Sequence, residues 1–248
     1  MVKYLLKKSY LHKNLKEIKF NDLWNSYGIF TTMRVIGKST KILFYNAHIN
    51  NLTRSLKIYK IYKKNLNKNI SKLIRMNLKK NKNYDHLLRV AINNKIISIS
   101  LRKRLKPKKN FSLKMVNYKR VDAQHKNLKY KKILKILSKL DTTKVDIALC
   151  KNNKLLETGT SNILFVKENK IFSPDNDCYK GTTIKYFSKK IKINFTNIFL
   201  KNLKNYDEIL IIGSGKGVVS VSSINRNIWK RKSLKIYKKM IKIYKKPK

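Results

Sequence analysis

Residues Leu155 to Val166 (LLETGTSNILFV) constrain the fold of this chain more than any other stretch. Leu155, Ile163 and Phe165 follow the two-residue period of a half-buried strand, and the polar turn Lys151-Asn152-Asn153-Lys154 precedes them. Gly159 lets the backbone kink or approach another group closely. The stretch therefore predicts strand, kink, strand, with a carboxylate (Glu157) before the kink and a side-chain amide (Asn162) after it. On these residues alone, Glu157 is either a solvated charge at a hairpin rim or a carboxylate aimed into a cleft.

The remainder of the chain supplies a mixed set of elements. Tyr27 to Gly37 predicts a strand rich in β-branched residues, and Lys41 to Tyr45 its hairpin partner. From Asn46 onward His48, Leu52, Ser55, Leu56 and Ile58 recur near helical spacing, and a second helix is expected over Leu66 to Lys79. Strands are predicted over His86 to Asn93 and Lys95 to Leu101, joined by Asn93-Asn94 as a two-residue turn. Further strands are expected over Phe111 to Tyr118, Val145 to Cys150, Ile191 to Phe199, Glu208 to Ile212 and Val218 to Ile224. Helices are expected over Lys129 to Leu140, Thr182 to Lys190, Leu200 to Asn205 and Lys232 to Lys246. Met1 to Phe20 has no clear period and is left unplaced. The basic run Arg102 to Lys109 reads as a solvated connector, and the polar Val121 to His125 as a link between two halves. The fold class is α+β (mixed α/β), with an N-terminal domain over 1–120 and a C-terminal domain over 121–248.

Charge is where composition bears on function. The chain has 61 lysines and arginines against 12 aspartates and glutamates, a formal net charge of +49. Such an excess points to a nucleic-acid partner when it is concentrated on one face and rich in arginine. Here only nine positions are arginine (34, 54, 75, 89, 102, 104, 120, 226 and 231), and the lysines run over the whole length. Lys, Asn, Ile and Tyr are abundant while alanine occurs only at 47, 91, 123 and 148, a bias that A/T-rich codons account for. No specific nucleic-acid partner is expected, although weak association with polyanions is. Cys150 and Cys178 form no C-x-x-C pair and the four histidines are dispersed, so neither a disulfide framework nor a metal site is expected. No apolar run reaches the roughly 18 residues of a membrane span, and no signal peptide is evident, so the expected location is cytoplasmic.

Several short motifs fall in a definite order. His125-Lys126-Asn127-Leu128 precedes the Glu157 to Phe165 stretch, which is followed by Ser173-Pro174, by Gly181-Thr182-Thr183 and by the glycine-rich turn Gly213-Ser214-Gly215-Lys216-Gly217. That turn lacks the strand–helix setting of a dinucleotide site, and no Ser or Thr follows its lysine as a Walker loop requires. From about Tyr27 to about Val221 this order resembles the class IV aminotransferases, the fold-type IV pyridoxal-phosphate enzymes. That family includes branched-chain and D-amino-acid aminotransferases and aminodeoxychorismate lyases.

The resemblance implies a two-domain architecture with the cofactor in a cleft between the domains, and pyridoxal 5'-phosphate as cofactor. Such a cofactor needs an amine, a carboxylate for its ring nitrogen and donors for its phosphate. Lys126 matches the Schiff-base lysine, with Lys129 as local competitor, and Glu157 the carboxylate on the pyridine nitrogen. Asn162 matches an amide whose expected job is to hold the local turn. Thr182 and Thr183, at a predicted helix start that favours an anion, and Ser214 match the phosphate donors. The family pattern H-x-x-R-L-x-x-S is met at His48, Leu52 and Ser55, but its phosphate arginine is replaced by Asn51; Arg54, Lys216 or Lys185 are the candidates to stand in. A second arginine, in the family's Gly-Ile-Thr-Arg, is replaced by Ile184. Phe30-Thr31-Thr32-Met33-Arg34 resembles the lyases, where transaminases more often carry Phe-Glu-x-x-Arg. The implied activity is that of a 4-amino-4-deoxychorismate lyase acting in folate synthesis. A branched-chain or D-amino-acid transaminase is the alternative, and an inactive homologue with a polyanion-binding surface the third reading. A small amino-acid-like substrate and a homodimer are implied in the first two cases.

Overall fold

The computed structural model describes residues 4–38, 40–79, 81–225 and 227–245. The chain divides into two compact units. The first comprises Met1–Arg104 with His125–Lys131, the second Leu105–Gln124 with Lys132–Lys248.

The first unit contains strands β1 (Tyr4–Leu11), β2 (Glu17–Ile18), β3 (Gly28–Gly37) and β4 (Lys41–Ile42), helices α1 (Tyr45–Ile58) and α2 (Leu66–Asn77), and strands β5 (Tyr84–Asn93) and β6 (Ile96–Lys103). They form one sheet in the order β2-β1-β6-β5-β3-β4, antiparallel throughout. Alternation decides which face is buried: Ile29, Met33 and Val35 of β3, Leu88, Val90 and Ile92 of β5, and Ile97, Ile99 and Leu101 of β6 share a core with Leu52 and Leu56 of α1 and Leu66, Ile70 and Leu73 of α2. The β5–β6 hairpin is closed by Asn93, whose Oδ1 accepts the Lys95 and Ile96 N–H groups at 2.9 and 2.7 Å. The expected partner strand over Lys41 to Tyr45 is cut to two residues. Phe44 adopts φ +55°, in the left-handed region, which ends the extended run and starts α1 at Tyr45.

A distant segment completes this unit. Phe30 N–H donates to Lys126 O and Leu128 N–H to Gly28 O, both at 2.9 Å, laying residues 126–128 against the start of β3. Gly28 permits that approach, because a Cβ there would collide with Ile92 O and the Leu128 side chain.

The second unit contains β7 (Phe111–Asn117), α3 (Lys131–Leu137, its first residue counted with the first unit), β8 (Val145–Lys151), β9 (Lys154–Thr158), β10 (Asn162–Lys167), β11 (Lys170–Pro174), α4 (Thr182–Ser188), β12 (Asn194–Thr196), β13 (Ile198–Phe199), a 3-10 turn over Leu200–Asn205, β14 (Glu208–Gly213), β15 (Gly217–Ile224), β16 (Trp229–Lys230) and α5 (Lys235–Lys245). The sheet order is β12-β11-β10-β14-β15-β7-β8-β9-β13, with β16 on β15. The expected single strand over Ile191 to Phe199 is two strands, β12 pairing with β11 and β13 with β9. These are the two ends of the sheet order, yet only Asn197 separates them. Two residues span at most about 7 Å, so the sheet must curl until its edges approach.

Central strands of this sheet are buried on both faces. Ile163 and Phe165 of β10 and Ile209 and Ile211 of β14 face one core, which includes Phe111 and Trp229. Leu164 and Val166, Leu210 and Ile212 face another, covered by Ile184 and Phe187 of α4 and Ile236 and Met240 of α5. Burial on both sides is why these strands read as continuous apolar runs. The closing helix begins at Lys235 rather than Lys232, and Lys246, where it was expected to end, lies outside the described residues.

Candidate functional site

In the first unit Lys126 is half-buried on the segment laced to β3, and its Nζ lies 4.8 Å from the centre of the Phe30 ring. Lys129, the competing amine, is exposed. Besides its apolar core residues, α1 buries the polar side chains of His48, Asn51 and Ser55. Thr31 Oγ1 and His48 Nδ1 share a hydrogen bond of 2.8 Å, and His125 Nδ1 and Ser55 Oγ one of 3.2 Å. Burial pushes the His48 imidazole down to about 3, and the Lys126 charge pushes in the same direction, so His48 is neutral at neutral pH. One turn along α1, buried Asn51 accepts a hydrogen bond through Oδ1 from Arg54 Nη2 at 2.9 Å. The guanidinium of Arg54 is thereby folded back onto position 51.

In the second unit Glu157 is 6% exposed, which removes the solvated-rim reading. Its direction follows from a bulge. Leu149 pairs with Glu157 but Cys150 pairs with Leu155, leaving Leu156 as the extra residue that re-aims the next side chain. The carboxylate meets Arg120, 3% exposed, in a two-pronged ion pair: Nε to Oε1 at 2.6 Å and Nη2 to Oε2 at 3.2 Å. Arg120 Nη2 also donates to Ala123 O at 2.7 Å, and the Tyr179 N–H points at Glu157 Oε2 from 3.4 Å.

Asn162, expected to hold its own turn, instead holds the loop before α4. Its Nδ2 donates to Tyr179 O at 2.5 Å and its Oδ1 accepts the Gly181 N–H at 3.1 Å. The turn over 158–161 is closed instead by Thr158, whose Oγ1 accepts the Ser161 N–H at 2.9 Å. Gly181 leads extended into α4 without a side-chain cap, and Thr182 and Thr183 follow, both buried. Thr183 Oγ1 and Ser214 Oγ, from the β14–β15 turn, stand 3.5 Å apart.

The structure thus groups Lys126 with Phe30, His48 and Thr31, and Arg54 with Asn51, in the first unit, and Thr183 with Ser214 in the second. Glu157 is joined by Arg120, which the sequence did not single out; it was one of nine arginines, and its partner lies 37 positions away. Of the other cations proposed for the role of the missing arginine, Lys185 is exposed and Lys216 donates to the Thr142 carbonyl. Among the described residues, no cluster of His, Cys, Asp or Glu could hold a metal ion, and no helix is long and apolar enough to cross a membrane.

The family model for amino-transferase class IV matches residues 28–224. No curated protein matches the sequence. Among solved structures, the chain is similar to a branched-chain aminotransferase from the archaeon Thermoproteus uzoniensis with norvaline, at 17% identity and a TM-score of 0.78 over 96% of this chain and 93% of that one. It is also similar to a Legionella pneumophila protein assigned as a 4-amino-4-deoxychorismate lyase, at 18% identity and a TM-score of 0.72 over 89% and 91%. A third is an aminotransferase from Brucella abortus bound to the cofactor PLP, at 15% identity and a TM-score of 0.74 over 96% and 97%. At such identities the likeness to these structures is one of fold.

Proposed function

The chain belongs to the class IV amino-transferase family of pyridoxal-phosphate enzymes, and we propose that within that family it is a 4-amino-4-deoxychorismate lyase, releasing pyruvate and 4-aminobenzoate. The carrying observation is at position 31. Where transaminases more often have the glutamate of Phe-Glu-x-x-Arg, this chain has Thr31, 5% exposed, with its hydroxyl bound to neutral His48. A carboxylate there would be buried against an uncharged imidazole, an unfavourable setting for an anion. The short hydroxyl of the Phe-Thr-Thr-x-Arg pattern suits it.

The residues present fit the cofactor. Its needs would be met by an amine that is not fully exposed (Lys126), a buried carboxylate oriented by a guanidinium (Glu157 with Arg120), three hydroxyls at a helix start and adjoining turn (Thr182, Thr183, Ser214) and the cation that reaches back to Asn51 (Arg54). When bound, pyridoxal phosphate supplies the electron sink that acidifies the substrate α-carbon. Lys126 Nζ would hold the cofactor and carry the α-proton. Glu157 would accept the ring-nitrogen proton's hydrogen bond, its two oxygens fixed by Arg120. Thr182, Thr183, Ser214 and Arg54 would hold the phosphate. A homodimer belongs to the same reading on the family resemblance, and a cytoplasmic location on the sequence reading above.

The test is direct. Purified protein supplied with 4-amino-4-deoxychorismate should release 4-aminobenzoate without an amino acceptor, and Lys126→Ala should lose both this activity and the yellow colour of bound cofactor. Turnover only with 2-oxoglutarate and a branched-chain or D-amino acid would establish the transaminase instead. A colourless protein that binds no cofactor would leave an inactive homologue.

A further inference from the structure

A buried charge pair lies among residues not yet given a role. Asp146, on β8, is fully buried. Its Oδ1 accepts the Ile147 N–H at 2.8 Å, and its Oδ2 accepts the hydroxyls of Thr160 at 2.6 Å and Thr158 at 3.3 Å. Lys216 Nζ stands 3.9 Å from Oδ2 with its side chain 11% exposed. The ammonium also donates to Thr142 O at 3.0 Å and lies 4.6 Å from the centre of the Phe111 ring. Burial pushes the Asp146 carboxyl up, and Lys216 pulls it the other way.

This pair ties two turns together. Thr158 and Thr160 belong to the turn that leaves Glu157; Lys216 belongs to the turn that carries Ser214. The two turns also touch, since a Cβ on Gly213 would lie 2.9 Å from Ser161 Oγ. Gly159 is equally confined: a Cβ there would meet Asp146 Oδ1 at 2.9 Å and the Ile147 side chain at 2.7 Å. One carboxylate therefore fixes, from inside the sheet, both the residue after Glu157 and the turn presenting Ser214. Net stability does not account for such a pair, because a buried ion pair gains little over an apolar one of the same volume. Its evident effect is to hold a single geometry.

We propose that the Asp146–Lys216 pair is an anchor setting the Ser214 turn for an anionic group, so that Lys216 is a positioning residue for the cofactor phosphate and not one of its ligands. The proposal rests on the reading of Ser214 as a phosphate donor. The two roles are separated by direction: the Lys216 ammonium is turned to Asp146 and the Thr142 carbonyl, whereas the Ser214 hydroxyl adjoins Thr183 at the start of α4.

The experiment compares apoprotein binding of pyridoxal phosphate with that of pyridoxal, which has no phosphate, by titration of the parent, Ser214→Ala, Lys216→Met and the double variant. Lys216→Met should weaken pyridoxal phosphate binding about tenfold, the order expected for losing one hydrogen bond to a charged group, and leave pyridoxal unaffected. The double variant should bind no more weakly than Ser214→Ala, since Lys216 acts through that turn. Lys216→Arg, which keeps a cation opposite Asp146, should bind like the parent. Should Lys216→Met fail to fold, Thr160→Val withdraws one hydroxyl from Asp146 and carries the same expectation. Equal loss for both ligands, additive losses in the double variant, or no loss overturns the proposal. If Ser214→Ala itself leaves pyridoxal phosphate binding unchanged, the reading of Ser214 fails, and the proposal with it.

Discussion

Glu157 and Arg120 form a buried charge pair whose two members depend on each other. Both are almost wholly buried, and each oxygen of the carboxylate is met by a guanidinium nitrogen. Removing one partner of such a pair leaves the other desolvated and uncompensated, a loss of about 3–5 kcal/mol. Arg120→Met and Glu157→Gln should therefore both lower the melting temperature, the second less to the extent that its amide oxygen still accepts from Arg120. Turnover should fall steeply in both, and Glu157→Gln melting like the parent with full turnover would remove Glu157 from the chemistry. The carboxylate was legible in the sequence through its place in the ordered motifs that resemble the family, with the scarcity of acids weighing against a solvated charge. Arg120 was not, because its pairing is set by how β9 bulges and by where residue 120 is carried, neither of which has a spacing rule. Asn51 was legible as a lost arginine and Arg54 as one of three candidates for its place; what the folded helix adds is the contact itself, Arg54 reaching back to Asn51 Oδ1. With that contact made, Arg54→Ala should weaken cofactor binding by roughly 1–3 kcal/mol, the range for hydrogen bonds to a charged group. Asn51→Arg should gain little, because it removes the acceptor and sets two guanidiniums side by side. A large gain in a cofactor titration of Asn51→Arg would show that Arg54 does not fill the position.

Elements were legible where apolar residues were dense or evenly spaced, although β10, expected from its period to be a half-buried strand, is buried on both faces. The runs in β10 and β14 stand out because both faces are apolar, and α1 because its apolar residues keep helical spacing. β1 was missed because Lys7 and Lys8 interrupt its alternation. In the fold Lys8 pairs with Glu17 at 2.8 Å and the Lys7 amine lies 4.6 Å from the centre of the Tyr4 ring, so both charges are accommodated at a sheet position. The division of Ile191 to Phe199 into β12 and β13 is a property of sheet closure, invisible to local pattern. Glu208, the first residue of β14, connects two levels. Fully buried, it accepts the Ile236 N–H at 2.8 Å and the Tyr237 N–H at 2.9 Å, capping the first turn of α5 from a neighbouring strand. A carboxylate at a helix N-terminus faces both unpaired N–H groups and the positive end of the dipole. Glu208→Gln keeps an acceptor and loses the charge, so it should cost about 1 kcal/mol of stability in denaturant unfolding. An unchanged midpoint would mean that α5 is held by Ile236 and Met240 alone.

At the scale of the whole molecule, the excess of 61 bases over 12 acids makes every further positive charge unfavourable, most of all inside the fold. Three histidines bear on this. His12 and His86 are lowered from 6.5, chiefly by burial and further by Lys63 and Lys82 respectively, and His48 is lowered to about 3 by burial and Lys126. Each is therefore neutral in the fold over a range in which the unfolded chain takes up a proton. By linkage, a depressed histidine contributes stability that is present above 6.5 and is lost as pH falls toward its folded value. For His48 that window runs from 6.5 to about 3. Its contribution is on the order of a few kcal/mol, since every tenfold loss of proton affinity on folding corresponds to about 1.4 kcal/mol. Unfolding free energy should begin to decline in the upper part of this window, above the range in which most carboxylates titrate. His48→Gln, which offers Thr31 an uncharged partner, should flatten the decline while leaving stability at pH 8 lower by no more than the lost packing. Denaturant titrations at pH 8, 6, 5 and 4 for parent and variant decide the matter; parallel curves would show that His48 escapes burial before it is protonated.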